Sequence, residues 1–469
     1  MPKVILPLIF LLFAGGCALG PDYQRPEVAS PVEYRHSPAQ DETWQQAMPA
    51  DDLPKGEWWR LYRDPILDQL QEQAAANNLE LRAALARLEQ ARALVGISEA
   101  DLLPRLDLQP SAQRGRTPAD LSPLGQTMTT TTLNLPLNLG YEVDLWGRLR
   151  RLSEAAGADF AAGAAEVENF RLILHGEVAR TYFALRTLDG EIELLGKTVE
   201  LRRENLRLMA SRYQHGISDR LDLSRTETEV AVAEAEMIAL RQRRSEVEHG
   251  LALLVGEAPG NFIQAADPAP APTPPLVKPG LPAELLQRRP DVAGAERRLM
   301  AANARIGAAE AAFFPAIRLT GAAGFGSSEL STLLNSGNRF WNFGPQLSLP
   351  VFDGGRNRAR LEQAQAVHQE ALAQYQQTIL QAFREVEDAL TALKHLAAQQ
   401  EAQQRAAASA RETVTLAHHR YRAGLVSYLE VIDSERSALT LERAVLLTDG
   451  QQLQANIALV KALGGGWEE

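Results

Sequence analysis

The chain is nearly without cysteine: Cys17 is its single one, so no disulfide framework and no cysteine-based zinc site can form. It also lacks any excess of basic residues. A formal charge of −11 argues against nucleic acid as a partner. Beyond the N-terminus no run of about 18 apolar residues occurs, which excludes a transmembrane helix and leaves strands as the means of crossing a bilayer. The eight histidines are scattered apart from the adjacent His418-His419, which point in different directions on a helix and read as solvated. No metal-spaced cluster and no nucleophile motif is present, so the sequence indicates neither a catalytic residue nor a cofactor, and an enzyme is the weakest reading.

What the chain has is ordered content. With 45% hydrophobic and 23% charged residues over 469 positions, it holds enough apolar material for two or three domains. Val4 to Phe13 form a short apolar run after Lys3, and Ala14-Gly15-Gly16 precede Cys17. This reads as a secretory leader over residues 1–16, too short to span a membrane. Small residues before one early cysteine resemble a bacterial lipobox, which implies acylation of Cys17, although Ala14 stands where leucine is usual. The absence of Asp at Ala18 then implies sorting to the outer membrane.

The segment beginning Arg212-Tyr213-Gln214-His215-Gly216 recurs as Arg420-Tyr421-Arg422-Ala423-Gly424, displaced by 208 positions. Gly147-Arg148 matches Gly355-Arg356 at the same displacement, and Leu103-Pro104 matches Phe314-Pro315 at 211. Units of about 200 residues are too long for a solenoid repeat, so the chain carries one folding pattern twice. Repeat 1 spans 65–257, with strands within about 104–146. Repeat 2 spans 283–469, with strands within about 315–353 and helices to about 463. Between them, 258–282 is proline-rich and reads as a semi-rigid spacer.

Each repeat contains a period-two stretch. Thr131 to Leu145 places Leu133, Leu135, Leu137, Leu139, Tyr141 and Val143 on one face, and Trp341, Phe343, Leu347, Leu349 and Val351 do so in the second copy. Weaker partner strands are expected at Arg105 to Gln109 and at Ala316 to Thr320. Pro136, Pro345 and Pro350 are poor residues for a central strand of a soluble sheet. After each hairpin the period changes. Leu185, Leu188, Ile192, Leu195 and Val199 follow the 3, 4 spacing of a coiled-coil seam, continued by Leu206, Met209 and Tyr213, and Phe383, Val386, Leu390 and Leu393 repeat it. No proline interrupts Arg148 to Gly216, so a single helix of about 100 Å is expected, with a twin over Arg356 to Gly424. Glycine ends each of them, and shorter helices return over Asp219 to Leu254 and Leu429 to Leu463. Others precede the hairpins over Ile66 to Asp101 and Asp291 to Phe313.

Four strands with an apolar face cannot close a barrel within one chain. Three chains would supply twelve and leave a lumen, with the apolar face toward outer-membrane lipid. This pattern resembles the outer-membrane efflux factor family, the TolC and OprM type of channel, and its NodT-like lipoproteins. The resemblance is carried by Cys17, Gly20-Pro21-Asp22-Tyr23, Arg289-Pro290-Asp291-Val292, Ala308 to Pro315, Val351 to Arg356 and the doubled Arg-Tyr-x-x-Gly element. It implies a mainly α chain with membrane β structure: a homotrimer with a twelve-stranded β-barrel on a long coiled-coil α-helical barrel. The implied partners are a periplasmic membrane-fusion adaptor and an inner-membrane transporter of the resistance-nodulation-division (RND) class. Residues 17–64 would form a lipidated segment wrapping the middle of the tunnel.

The resemblance further implies a periplasmic gate, with Leu429 and Asp433 at constricting positions and Arg436 tying neighbouring helices. Asp433 and Arg436 lie three apart on one helix face, so an exposed ion pair worth about 0 to 1 kcal/mol is the competing reading. The tips at Gly216, Ile217, Ser218, Gly424, Leu425 and Val426 are expected to dock the adaptor. A protein-secretion channel of type I and a structural coiled-coil envelope lipoprotein are the alternative functions.

Overall fold

The computed structural model describes residues 18–27, 31, 34, 56–123, 125–269, 272–275, 277 and 288–465; the leader and Cys17 lie outside them. The elements in chain order are α1 (Pro65–Asn77), α2 (Leu79–Ala100), β1 (Arg105–Leu108), β2 (Ser111–Thr117), β3 (Met128–Val143), α3 (Arg148–Gln214) and α4 (Arg220–Leu254). The second repeat supplies α5 (Pro290–Ala311), β4 (Ala316–Ser327), β5 (Arg339–Ser348), α6 (Arg356–Arg422) and α7 (Tyr428–Ala462). Both long helices have 67 residues, as their common pattern requires. Among the described residues no helix is long and apolar enough to cross a membrane. Two compact units divide the chain, one containing 87–164 and 294–376 with the N-terminal 18–27, the other 56–86, 165–293 and 377–465.

The first unit holds the sheet. It is antiparallel throughout, with β1 and β2 on one side of β3, then β4, then β5. β1 and β2 pair with β3 in a single continuous register, from Arg105↔Gly140 to Thr117↔Met128, so they form one interrupted strand and the sheet is four strands wide. The interruption falls at Gln109, opposite Pro136, where Gln109 N–H still donates to the Pro136 carbonyl at 3.1 Å. A central proline is tolerated there because the ladder is already broken at that point. Pro345 lies on β5, an edge strand. The partner strands run further than alternation suggested. Ser111–Thr117 is polar and exposed, so its sequence has no period-two signal, and the long β3 templates it.

The Gly20-Pro21-Asp22-Tyr23 segment packs on the helices of this unit. Arg151 of α3 donates to the Leu19 carbonyl through Nε at 3.1 Å and to Asp22 through Nη2 at 2.8 Å. Asn303 of α5 donates to the Pro21 carbonyl at 2.8 Å, and Tyr23 donates to Glu296 at 3.2 Å. Gly307 makes the approach possible, since a Cβ there would lie 2.4 Å from the Leu19 carbonyl oxygen.

In the second unit most of the expected seam is covered, although Ile192 and Leu206 are only partly buried and Tyr213 is exposed. Leu188, Leu195 and Val199 of α3 pack with Ala233 and Leu240 of α4. A 3-10 helix, Trp58–Tyr62, buries Trp58, Trp59 and Tyr62. The helix expected over Ile66 to Asp101 is two helices. Asn78 stands between them with extended backbone, its side-chain oxygen accepting from Leu81 N–H at 2.9 Å and its amide donating to the Leu254 carbonyl at 2.9 Å. An asparagine that caps a helix and bonds a neighbour offers the backbone a better alternative than helix continuation. The linker is more than a spacer: Gln264 N–H donates to Glu248 at 2.7 Å, Asp267 N–H to Asp189 at 3.1 Å, and the Asp267 carboxylate meets Arg186 at 3.0 Å.

Candidate functional site

The two turns at the ends of the long helices share one construction. In the first, Gly216 takes a φ of 69°, Ile217 N–H donates to the Arg212 carbonyl at 2.8 Å and Gly216 N–H to that of Tyr213 at 3.0 Å. In the second, Gly424 has φ 72°, Leu425 N–H reaches Arg420 at 2.9 Å and Gly424 N–H reaches Tyr421 at 2.9 Å. This paired bonding closes a helix on a left-handed residue, a conformation that costs glycine little. Asp219 then caps α4 by accepting from Asp222 N–H at 2.8 Å, and Ser427 precedes α7.

The turns leave apolar side chains in solvent. Ile217 is 65% and Leu425 70% exposed, while Ser218 and Val426 are half-buried. A Cβ added at Gly216 or Gly424 would meet nothing within 4 Å, so both positions are open to an incoming group.

Beneath the turns the two copies of the Arg-Tyr-x-x-Gly element touch. Arg212 donates to the Tyr421 hydroxyl at 3.1 Å and lies over its ring at 5.4 Å, a cation–π contact. Tyr421 in turn leans on Tyr428, with ring centroids 5.2 Å apart. Tyr428 is enclosed with Met209, Leu223, Ala417, Val431 and Ile432, and burial first of all pushes its hydroxyl pKa up to about 12. The duplicated motif was the signal for this contact, since each copy carries both an arginine and a tyrosine.

Leu429, Asp433 and Arg436 occupy one stripe of α7 at i, i+4 and i+7, and all three are exposed. Arg436 is not paired with Asp433. It donates instead to Glu229 of α4, whose carboxylate also engages Arg202 of α3 at 3.2 Å. Glu229 and Arg202 are each only 7% exposed at the side chain, so this three-residue bridge ties α3, α4 and α7 through a buried carboxylate. In the first copy Arg225, at the position of Asp433, pairs with Asp222 at 3.6 Å.

A second polar contact escaped the sequence reading. His418 is not a solvated histidine: its Nε2 lies 2.9 Å from Glu435 of α7, and both are partly buried. Burial raises the Glu435 carboxyl, an effect that His418 and Arg202 oppose. Helical spacing alone does not show which histidine faces a neighbouring helix. Among the described residues no cluster of histidine, cysteine, aspartate and glutamate is arranged to hold a metal ion.

The outer membrane efflux protein family profile matches residues 70–257 and 281–465, the two repeats in turn. The chain is 38% identical over 462 residues to the solvent efflux pump outer membrane protein SrpC of Pseudomonas putida, covering 98% of both. It is 37% identical over 466 residues to the outer membrane protein OprJ of Pseudomonas aeruginosa, covering 98% of this chain and 95% of that one. Among solved structures, the outer-membrane channel OprN superimposes with a TM-score of 0.88 at 30% identity, covering 96% of this chain and all of the other. The doubled helix–hairpin–helix pattern and its paired tips are therefore those of the outer membrane efflux protein family, to which this chain belongs as an outer-membrane efflux channel protein.

Proposed function

We propose that the chain is the outer-membrane duct of a tripartite efflux pump of the RND class, a passive homotrimer that releases small molecules across the outer membrane. The observation that carries this reading is the sheet. It is four strands wide, with an apolar face that includes Leu137, Trp341, Phe343 and Leu347 in the open, and among the described residues it ends on two unpaired edges. In a bilayer every backbone polar group needs a partner, so an open sheet has to be closed by further copies. Three copies give twelve strands, enough for a lumen. The relatives' names, which include solvent efflux and toluene efflux, favour small apolar cargo.

In this reading the tips at Gly216 to Ser218 and Gly424 to Val426 receive a periplasmic adaptor. Leu429, Asp433 and Arg436 form the gate, and Cys17 carries a lipid that adds to the barrel as an anchor. Residues 17–64 form the lipidated segment that wraps the middle of the duct. Mass measurement in detergent tests the assembly: a stable trimer is expected, and a stable monomer or dimer would sink it.

A further inference from the structure

The strand register sorts the side chains of the sheet onto two faces, because residues opposed across an antiparallel ladder point to the same side. Leu137 and Leu139 of β3 share one face with Leu106 and Leu108 of β1 and, across β4, with Trp341 and Phe343 of β5. Among the paired residues of this apolar face only three are charged. They are Arg114 and Arg116 of β2, opposite Thr131 and Thr129, and Arg339 of β5, opposite Phe325. All three are arginines, all are exposed, and all lie toward the turns, at the end of the sheet away from the helices. The acids of the strands, Asp107 and Glu142, are on the other face with Arg105 and Arg318. Those at the turn end, Asp120 and Glu329, stand beyond the strands. No ion pair joins Arg114, Arg116 or Arg339 to a described residue.

An arginine on a lipid-facing surface is costly at the bilayer midplane and tolerated at the interface, where its stem lies on apolar surface and its head reaches polar groups. The spacing puts these arginines at the interface. The nine steps from Arg105, at the helix end of the edge strand, to Arg114 cover about 30 Å at about 3.3 Å each, or about 23 Å of membrane at a tilt of about 40°. An outer-membrane apolar band is about 25 Å tall, so Arg114 and Arg116 stand at its far rim. Trp341, 80% exposed and two residues from Arg339, belongs with the aromatic girdle of such a rim.

We propose that Arg114, Arg116 and Arg339 bind the phosphate groups of lipopolysaccharide, the phosphorylated glycolipid of the outer leaflet. The guanidinium fork matches phosphate oxygens, and basic clusters at a membrane surface recognise anionic head groups. Arg114 and Arg116, two residues apart on one strand, are separated by about 7 Å along it, so two forks reach one head group. The acyl chains of the same lipid lie on the leucine face beneath. The helices leave the opposite rim toward the periplasm in the reading above, which sets the arginines against the outer leaflet and not against inner-leaflet phospholipid. The inference rests on that membrane-spanning reading and adds the lipid that the outer rim recognises.

Native mass spectrometry of the detergent-purified protein, with bisphosphorylated lipid A as the probe, tests the site. The triple variant Arg114→Gln, Arg116→Gln, Arg339→Gln is expected to bind at least about tenfold more weakly than wild type. Arg105→Gln makes the same kind of charge change on the polar face and is expected to bind as wild type does. Wild type is expected to hold fully dephosphorylated lipid A at least about tenfold more weakly, an arm that needs no variant. Excess inorganic phosphate is expected to leave the lipid in place, since it brings no chains to the leucine face. Equal binding by the triple variant, or of the dephosphorylated lipid, would overturn the inference. Displacement by inorganic phosphate would overturn it in favour of a free anion, and phosphatidylglycerol bound as tightly through the same arginines would overturn the choice of glycolipid. A monomer or dimer by mass would sink the trimeric duct, whereas a trimer that binds lipid A regardless of the arginines would sink this inference alone.

Discussion

Arg436 of α7 donates to Glu229 of α4, the carboxylate that Arg202 of α3 holds from the other side at 3.2 Å. The arrangement makes Arg436 the removable member of the bridge. Its side chain is half exposed, whereas Glu229 keeps Arg202 when it is lost.

Replacing both Asp433 and Arg436 with alanine is therefore expected to loosen α7 from α4 without unfolding either. An exposed member of an ion pair contributes about 1 kcal/mol or less, so the yield of assembled protein should be unchanged. Single-channel conductance in planar bilayers should rise above that of the unmodified protein. Equal conductance from an intact assembly would identify both as ordinary surface charges.

Gly424→Trp is expected to weaken adaptor cross-linking and drug resistance while the assembly persists. Gly424→Ala separates the causes, because any side chain at a φ of 72° costs about 1 kcal/mol, but alanine leaves the surface small. Resistance equal to wild type in the tryptophan variant would remove this turn from the docking surface.

Cys17→Ser should abolish incorporation of labelled fatty acid and leave transport largely intact, because in the proposed assembly the strands themselves anchor the protein. Wild-type protein that takes up no label would refute acylation at this position.

His175 provides a pH dependence with a defined sign. Its ring stacks on Trp59 at 4.3 Å and its Nδ1 lies 2.6 Å from the Gln71 side-chain oxygen. Burial, followed by the nearby Arg171, lowers its pKa to about 4 from 6.5. A depressed pKa means stability that is present above 6.5 and lost as pH falls toward 4, because only the unfolded chain takes up the proton in that window. The loss amounts to about 3 kcal/mol at most. Thermal unfolding in detergent should show Tm falling between pH 6.5 and 4 less steeply in His175→Gln than in wild type. Parallel profiles would show that His175 titrates as it does in the unfolded chain.

The repeat, the two period-two strands, the 3, 4 seams and the terminal glycines of the long helices were all legible in the sequence, because each is a local pattern imposed by the geometry of one element. Leu188, Leu195 and Val199 are buried where the seam placed them, and Gly216 and Gly424 take the left-handed turn expected of them. Contacts between elements distant in sequence carry no such period, and only the tertiary structure decided them. Ser111–Thr117 is a strand because β3 runs alongside it, and Asn78 breaks a helix because the Leu254 carbonyl is within reach. The partners of Arg436 and His418 belong to the same class: a charged residue on a helix can face solvent or a neighbouring helix, and the choice depends on how helices pack rather than on the residues beside it in the chain.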